Sequence, residues 1–438
     1  MSFGLVQKDS SFTSIRTTTS ASAKMATGYF AANVRQVGAL LQLEQSPENW
    51  VTVPVLRVPT AQIGPGISEG PILEQNYLNQ NAISADGTYI AFATREEIGT
   101  VTYSYVNVYR VRNNVPMLSL SASLDYDNYP GFLLNAIALS GEGRILAAAA
   151  FDYVNIFRNQ FEGWIGVVQL TGTGDASVLV NGFGTSMQLS GDGKTLVVGA
   201  PFTTSVPGGV PTGCLFVFQE TSLDVWVQQG TQLMPTGYTG AFGAYLGTSL
   251  ALSSDGSTIV AGGQTDNDDI GSVWIYKRQT PGQYIQFGAK ISAPFPLTSL
   301  FGYSVALNGD GNILAVSYAT VNTEVAIYVL GTLGYALTSV IPKSPLMVNN
   351  NGGSNDTISL SYSGDVLLTN FQRNNFPAGA SWVYTQGATV GTYEFNGPLY
   401  GPVGDTAFGT QSVLSTDGAS TGRCTALISS STNVYLFK

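Results

Sequence analysis

Apolar and polar positions alternate in short runs along most of the chain, and the runs come in pairs joined by Asp-Gly or a close substitute. In Phe183–Pro201, FGTSMQLSGDGKTLVVGAP, an alternating run leads into Gly-Asp-Gly and a second, more apolar run returns. Alternation is the period of a strand, and Asp-Gly is a preferred filling of a tight hairpin turn, so the segment predicts two antiparallel strands. The same grammar recurs at Leu246–Gly263, LGTSLALSSDGSTIVAGG, and at Phe301–Ser317, FGYSVALNGDGNILAVS. Looser copies begin at Asn81, Asn135, Asp356 and Phe408. The turn glycines align at Gly87, Gly143, Gly193, Gly256, Gly311, Gly364 and Gly418, at intervals of 56, 50, 63, 55, 53 and 54 residues. Seven units of about 55 residues have the period of a solenoid or propeller.

Each unit continues with a third, aromatic-rich strand, as at Cys214–Phe218 and Ser272–Tyr276, and a fourth, more polar one that often starts at Trp164, Trp226 or Tyr284. Four antiparallel strands per unit make a propeller blade. The predicted fold is therefore all-β: a seven-bladed β-propeller of four-stranded antiparallel blades, its ring closed by an N-terminal strand. The seventh unit reaches Lys438 directly after its third strand. Trp50–Val58, WVTVPVLRV, is expected to lie beside Phe437 and supply the missing strand, leaving no unpaired edge at the seam. This divides the chain into a Ser/Thr-rich arm, 1–49, and a propeller, 50–438, with Val37–Glu44 offering one further strand.

Composition narrows the chemistry. There is no histidine among 438 residues and there are only two cysteines, Cys214 and Cys424, each in an apolar run. A histidine-based nucleophile system cannot be assembled, a zinc site lacks ligands, and both cysteines read as small buried hydrophobes. The net charge is −10; Lys8, Arg16, Lys24 and Arg35 against Asp9 give the first forty residues +3 and leave −13 for the rest. Such a body repels nucleic acid, and no basic stripe offsets it. Ten of the eighteen residues from Ser10 to Thr27 are Ser or Thr, a composition that builds no core and suits a tail docked on a partner. The opening shows no apolar stretch of the kind a secretory signal carries, and no run approaches the roughly 20 apolar residues of a membrane helix.

Phe183-Gly184 with Gly199-Ala200-Pro201, the pairs Phe301-Gly302 and Phe408-Gly409, and the tryptophan-led fourth strands together resemble the FG-GAP, integrin-alpha-like propeller repeats. The resemblance covers most of residues 50–438 and implies a noncatalytic seven-bladed propeller serving adhesion or assembly. Calcium-binding members of that class carry several acids in the first hairpin. Here each turn keeps one acid or none, Asp86, Glu142, Asp192, Asp255, Asp310 and Asp417, with Ser363 before Gly364. One carboxylate cannot supply the roughly six to eight oxygens that Ca²⁺ takes.

The candidate cation site is instead Asp266, Asp268 and Asp269 in GQTDNDDIG, where a tight loop could gather three carboxylates on Ca²⁺; the competing reading is a solvated polar turn. Asp125, Tyr126, Asp127 and Tyr129 in DYDNYPGF, and Tyr400 in a long connection, suit a glycan or protein partner. The first hairpins are uniformly tight, whereas the connections after strands two and four are long and rich in Pro, Gly and aromatics, and in an up-and-down blade these two classes emerge on one face. These features lead to the expectation of a noncatalytic binding or structural module. The leading assignment is a surface or capsid-associated component of a virus particle, in assembly or host attachment. Residues 1–36 would dock to the capsid shell, and the loop-rich face would meet a host receptor, a glycan or a neighbouring subunit. The alternatives are an extracellular or cell-surface adhesin of the same fold and a carboxylate-dependent glycosidase, a chemistry that needs no histidine.

Overall fold

The computed structural model describes residues 81–438 apart from 99–100, 124–133, 151, 162, 175–179, 206–207, 295–298, 319–323, 342–356, 371–379, 402–407, 410, 416–423 and 431–432, together with residues 62 and 67 and five short strands nearer the N-terminus. Seven sheets form the body. Blades 1 to 6 each have four strands paired antiparallel in chain order, blade 4 with a short extra one, and blade 7 has three. The inner strands are Asn81–Ile83, Leu134–Leu139, Ser186–Leu189, Ser249–Leu252, Val305–Leu307, Ile358–Leu360 and Gln411–Leu414. Each touches the next, and that of blade 7 touches that of blade 1, so the ring is closed.

The apolar second strands explain why no blade stands alone. Ile145–Ala150, Thr195–Ala200, Thr258–Gly263 and Ile313–Tyr318 are buried along their whole length. In blade 3, Leu196, Val198 and Ala200 enter the core shared with blade 2, and Val197 enters the core shared with blade 4. A strand with both faces covered reads as a continuous apolar run rather than an alternating one. Every junction between adjacent blades has its own cluster of buried side chains. At the seam Ile83, Ile90, Phe92 and Tyr109 of blade 1 meet Leu427, Val434 and Leu436 of blade 7.

The Phe-Gly pairs draw neighbouring blades together. Phe183, Phe301 and Phe408 are buried, with Leu246 at the corresponding place in blade 4. The following N–H groups of Gly184, Gly247, Gly302 and Gly409 donate to carbonyls of their own second strands at 3.0 to 3.1 Å. The carbonyls of Gly247 and Gly302 accept the hydroxyls of Ser186 and Ser249 in the preceding blade at 2.6 and 2.7 Å. Backbones approach so closely there that a Cβ on Gly199 or Gly262 would overlap the carbonyl oxygen of Gly247 or Gly302.

The opposite ends of the inner strands carry the turns. The Ser190 hydroxyl donates to Asp192 Oδ1 at 2.7 Å, the same oxygen accepts the Lys194 N–H at 3.0 Å, and Gly193 takes φ 71°, a conformation that glycine adopts without strain. The pattern repeats at Ser84/Asp86 and Ser253/Asp255. Burial opposes ionisation of Asp86 and Asp255, but bonds from Thr88 and Ser84 in one and from Ser253 and Ser257 in the other outweigh it, holding both carboxyls below their ordinary range. Each acid is committed to its own turn. The turns are also tied to one another: Ala85, Glu142, Gly191, Ser254 and Gly309 donate their N–H groups to the carbonyls of Gly141, Gly191, Ser254, Gly309 and Tyr362, giving a backbone belt from blade 1 to blade 6 at 2.8 to 3.2 Å.

The aromatic at the start of the fourth strand also acquires a reason. The hydroxyls of Tyr284, Tyr335 and Tyr393 donate to the carbonyls of the turn glycines Gly256, Gly311 and Gly364, pinning the outer strand to the first hairpin of its own blade.

Ring closure departs from the expectation in one respect. Trp50 belongs to the strand Asn49–Val53, which pairs with Leu41–Ser46 and opposes Glu44, not Phe437. The segment beside the C-terminal strand comes later: Gln62 bridges Phe437, and Ile67 and Val434 exchange both backbone hydrogen bonds at 3.0 and 3.1 Å. An N-terminal segment does add to blade 7, but it is the one carrying Gln62 and Ile67, and the further strand expected near Val37–Glu44 is the partner of Trp50's strand.

The close glycine contact makes a direct prediction. Gly262→Ala should force blades 4 and 5 apart and cost about 2 kcal/mol or more in denaturant unfolding, whereas Gly331→Ala, whose nearest neighbour is the Gly334 carbonyl at 3.7 Å, should change stability by less than about 1 kcal/mol. Equal effects at the two positions would contradict the contact.

Candidate functional site

The two faces of the ring differ as the strand order requires. One carries the first hairpins and the connections between third and fourth strands, nearly all of two residues, such as Asn113-Asn114, Leu223-Asp224 and Thr332-Leu333. The other, the loop face, carries the long connections, including 201–213, 229–248 and 287–304. Within it Asp152, between the second and third strands of blade 2, has its carboxyl pushed up by burial despite bonds from the Phe183 and Gly182 N–H groups.

Along the axis lies a cavity of about 180 Å³ lined by all seven inner strands. Among the described residues, its walls carry no carboxylate, ammonium or guanidinium group. The repeat places small residues around it: Ala82, Ala138, Ala251 and Ala306 in four blades, Ser359 and Val413 in two more. Blade 3 breaks the layer with Gln188, half-buried, whose carboxamide has no hydrogen-bond partner among the described residues. One position earlier in each strand the repeat has Ile137, Met187, Leu250, Val305 and Ile358, but blades 1 and 7, at the seam, have Asn81 and Ser412. Asn81 donates its amide to the Ser429 hydroxyl at 3.0 Å across the seam, while Asn81 Oδ1 and Ser412 Oγ are buried without a partner. At the mouth on the turn face the Tyr362 ring lies over Gly309. Burial, followed by the neighbouring Asp310 carboxylate, pushes its hydroxyl up, so it stays a neutral donor.

The acidic loop does not gather its carboxylates. Asp266, fully buried, accepts the Thr239 N–H at 2.8 Å and the Ser272 hydroxyl at 2.6 Å and pairs with Lys290. Asp268 accepts the Ala241 N–H at 2.8 Å, and the main-chain carbonyl of Asp269 receives the N–H groups of Ser299 and Leu300. Asn267, Asp268 and Asp269 all take left-handed backbone angles. No group of three metal-ligating side chains occurs among the described residues. The Asp266 carboxylate fastens the loop between blades 3 and 4, and the calcium expectation for Asp266, Asp268 and Asp269 is corrected to this structural role. Asp125, Tyr126, Asp127 and Tyr129 lie outside the described residues. Tyr400 ends the outer strand of blade 6, half-exposed and opposite Ala380.

Cys214 and Cys424 are both buried and unlinked, and burial pushes the Cys214 thiol up to about 12, so it is inert at neutral pH. Among the described residues no helix is long and apolar enough to cross a membrane.

The feature that sequence inspection missed is the outer wall. The fourth strands Val115–Ser123, Gly163–Leu170, Val225–Gln228, Gln283–Gln286 and Gly334–Ile341 contain no charged residue at all. They expose Val115, Met117, Ile165, Val227, Ile285 and Leu337, and the adjoining hairpin tips hold out Phe161 and Leu333 at 106% and 102% exposure. The signal was present as the missing charges, but alternation with Ser, Thr and Gln made these strands look simply polar.

No family model and no curated protein matches the sequence. Solved structures do resemble the fold. Hydrazine synthase from Kuenenia stuttgartiensis superimposes with a TM-score of 0.52 at 16% identity over 85% of this chain and 98% of that one. A protein from Bacteroides uniformis named as a candidate 6-phosphogluconolactonase gives 0.48 at 15% identity over 76% and 88%, and a protein from Lactobacillus plantarum gives 0.48 at 14% over 80% and 88%. At such identities the likeness establishes the propeller fold alone.

Asp266→Ala, which strands the Lys290 ammonium, should destabilise the protein by about 3 kcal/mol in denaturant unfolding. Adding Ca²⁺ or a chelator to the unaltered protein should leave its Tm where it was, and a rise with Ca²⁺ would restore the metal reading.

Proposed function

We propose that this chain is a noncatalytic propeller module, a surface or capsid-associated component of a virus particle, with its outer wall buried against protein neighbours and its loop face turned to a binding partner. The uncharged outer wall carries this reading. A blade ends in an edge strand with unpaired N–H and C=O groups, and proteins that stay apart blunt such edges with lysine, proline or inward charge. Here the outer strands of blades 1 to 5 are bulged against their third strands, and those of blades 3 and 4 are only four residues long, but, Pro116 aside, they carry neither lysine nor inward charge and expose apolar side chains instead. A chain with a net charge of −10 that keeps charge off five successive outer strands is suited to a wall that neighbours cover.

Other features support parts of the reading. The tight turn face and the elaborated loop face divide the molecule into scaffold and recognition surface. The Phe-Gly entries of blades 3, 5 and 7 and Gly199-Ala200-Pro201 support kinship with FG-GAP, integrin-alpha-like repeats, whose members serve in adhesion or assembly. The cavity walls offer hydroxyls, amides and one phenol, a poor set for glycoside hydrolysis, which needs two carboxylates about 5 to 10 Å apart. The basic, Ser/Thr-rich residues 1–36 would dock to the shell.

The test is incorporation into particles in the native source. Met117→Lys, Val227→Lys and Ile285→Lys combined should abolish incorporation, while these surface changes leave the isolated protein's stability within about 1.5 kcal/mol of wild type. Deletion of residues 1–36 should do the same with the propeller still folded. Normal incorporation of the lysine variant would overturn the wall as the assembly surface, and normal incorporation of the deletion would overturn arm docking.

A further inference from the structure

The hairpins that join third and fourth strands form a rim round the turn face, and several hold out apolar side chains for which the turns themselves have no use. The last third-strand residues paired with the second strands are Arg110, Arg158, Gln219, Lys277 and Val329, and the tips follow three or four residues later at Asn113, Phe161, Leu223, Pro281 and Thr332. Five tips of one construction therefore stand level round the ring. Blade 1 builds its tip from Asn113-Asn114, both at left-handed backbone angles that asparagine tolerates, so the turn asks for no apolar residue. Yet Phe161 and Leu333 are fully exposed, Leu223 is 73% exposed, Pro281 is exposed in blade 4, and Val390 is half-exposed in the longer hairpin of blade 6.

These tips are held in place. Arg158, just before the Phe161 tip, donates its Nε–H to Asp224 Oδ1 at 2.6 Å in the Leu223 tip of the next blade. It also pairs with Glu220, whose Oε1 accepts the Asp224 N–H at 2.8 Å, so two neighbouring tips are tied to each other. Tips fixed in advance lose little freedom on contact. A protein partner would need a separate pocket for each side chain, spaced to match the ring, whereas a lipid surface takes apolar side chains wherever they arrive level with it. The charges agree with lipid. Among the described residues Arg110, Arg112, Arg144, Lys194, Lys277 and Arg278 lie at the turn-face ends of the blades, and Lys290 at the loop face. Long basic side chains beside an apolar tip reach phosphate groups while the tip goes deeper. Acids of the same face are bonded into their turns, as Asp86, Asp192 and Asp255 are, or paired with Arg158. A face carrying both signs suits a headgroup that carries both. The loop face, with Asp152, Asp266, Asp268 and Asp269 against Lys290, has an acidic excess instead.

We infer that the turn-face rim docks on a zwitterionic lipid surface, with Phe161, Leu223 and Leu333 inserted among the acyl chains and the neighbouring arginines and lysines at the level of the phosphates. The contact is peripheral and needs no membrane-spanning segment. It does not rest on the roles proposed for the outer wall and the loop face.

Flotation of the full chain with phosphatidylcholine vesicles tests the inference. The unaltered protein should float with them, and adding phosphatidylserine should change its partition by less than about threefold. Phe161→Ser combined with Leu333→Ser should lower the partition coefficient at least about tenfold at an unchanged Tm, because partition follows the apolar area that enters the lipid. Since Cys214 and Cys424 are buried, Leu333→Cys takes a polarity-sensitive fluorophore selectively. Its emission should shift to the blue on adding vesicles, and the same label on Phe242→Cys at the loop face should not shift. Failure of the unaltered protein to float, flotation only with phosphatidylserine, equal flotation of the serine variant, or a shift at residue 242 in place of 333 would each overturn it. Self-association that the serine variant loses, in place of flotation, would also overturn it and make the rim a contact between copies. Particle incorporation plays no part in these assays, so the failure of one reading is distinguishable from the failure of the other.

Discussion

The structure depends on the second strand of each blade having two buried faces. Such a strand belongs to two cores at once, as Leu196 and Val197 do on either side of blade 3, and it is stable only while both neighbours are present. Around a ring this requirement closes on itself: remove one contact between blades and two sheets lose a wall. The hydroxyl bonds from Ser186 and Ser249 to the glycine carbonyls of the next blade, and the belt linking Ala85 through Gly309 to Tyr362, act at opposite ends of the inner strands and hold the junctions in register. Repeats therefore conserve small residues at the inner edge for a steric reason, and that same smallness leaves an open axis.

A ring made this way has three surfaces with different freedoms. The turn face is constrained, because its acids and glycines build the hairpins and its tyrosines lock the outer strands. The loop face carries connections that enter the junction cores only where they rejoin the blades, at Phe183, Leu246, Phe301 and Phe408, and the rest of their length is free to vary. The outer wall is held by the ladder to the third strand, by the tyrosine bonds and by inward side chains such as Trp226 and Tyr284, none of which sets its outward side chains, so their uncharged, apolar character is informative: nothing in the fold demands Met117 or Ile285 on the outside. The axis is likewise free at positions the repeat leaves small, and Gln188 stands out there for that reason.

Much of this was legible in the sequence, and the parts that were not share a cause. Asp-Gly turns at a near-constant spacing reported the seven blades because a hairpin is local chemistry. The aromatic openings of the fourth strands were visible too, although the bond from Tyr284 to its turn glycine needed the structure. Closure was misread because Trp50–Val58 alternates like a strand, whereas the pairing segment containing Gln62 and Ile67, rich in Gly and Pro, does not. The reading of Asp266 as a ligand failed because its partners, Thr239 and Lys290, are 27 and 24 residues away, invisible to a motif confined to one loop. Long-range satisfaction of a buried carboxylate leaves no mark in its neighbours along the chain.

The central claim is that the ring is held closed by pairing of the segment around Gln62 and Ile67 with the C-terminal strand. Thermal unfolding of two truncations tests it most directly. A chain starting at residue 56 keeps the pairing and should melt in one cooperative transition at the Tm of the full protein. A chain starting at residue 71 loses it, exposes the edge at Val434 and Phe437, and should melt at least about 5 °C lower. Equal Tm values for the two, or loss of stability already on removing residues 1–55, would contradict it and return the seam to another segment.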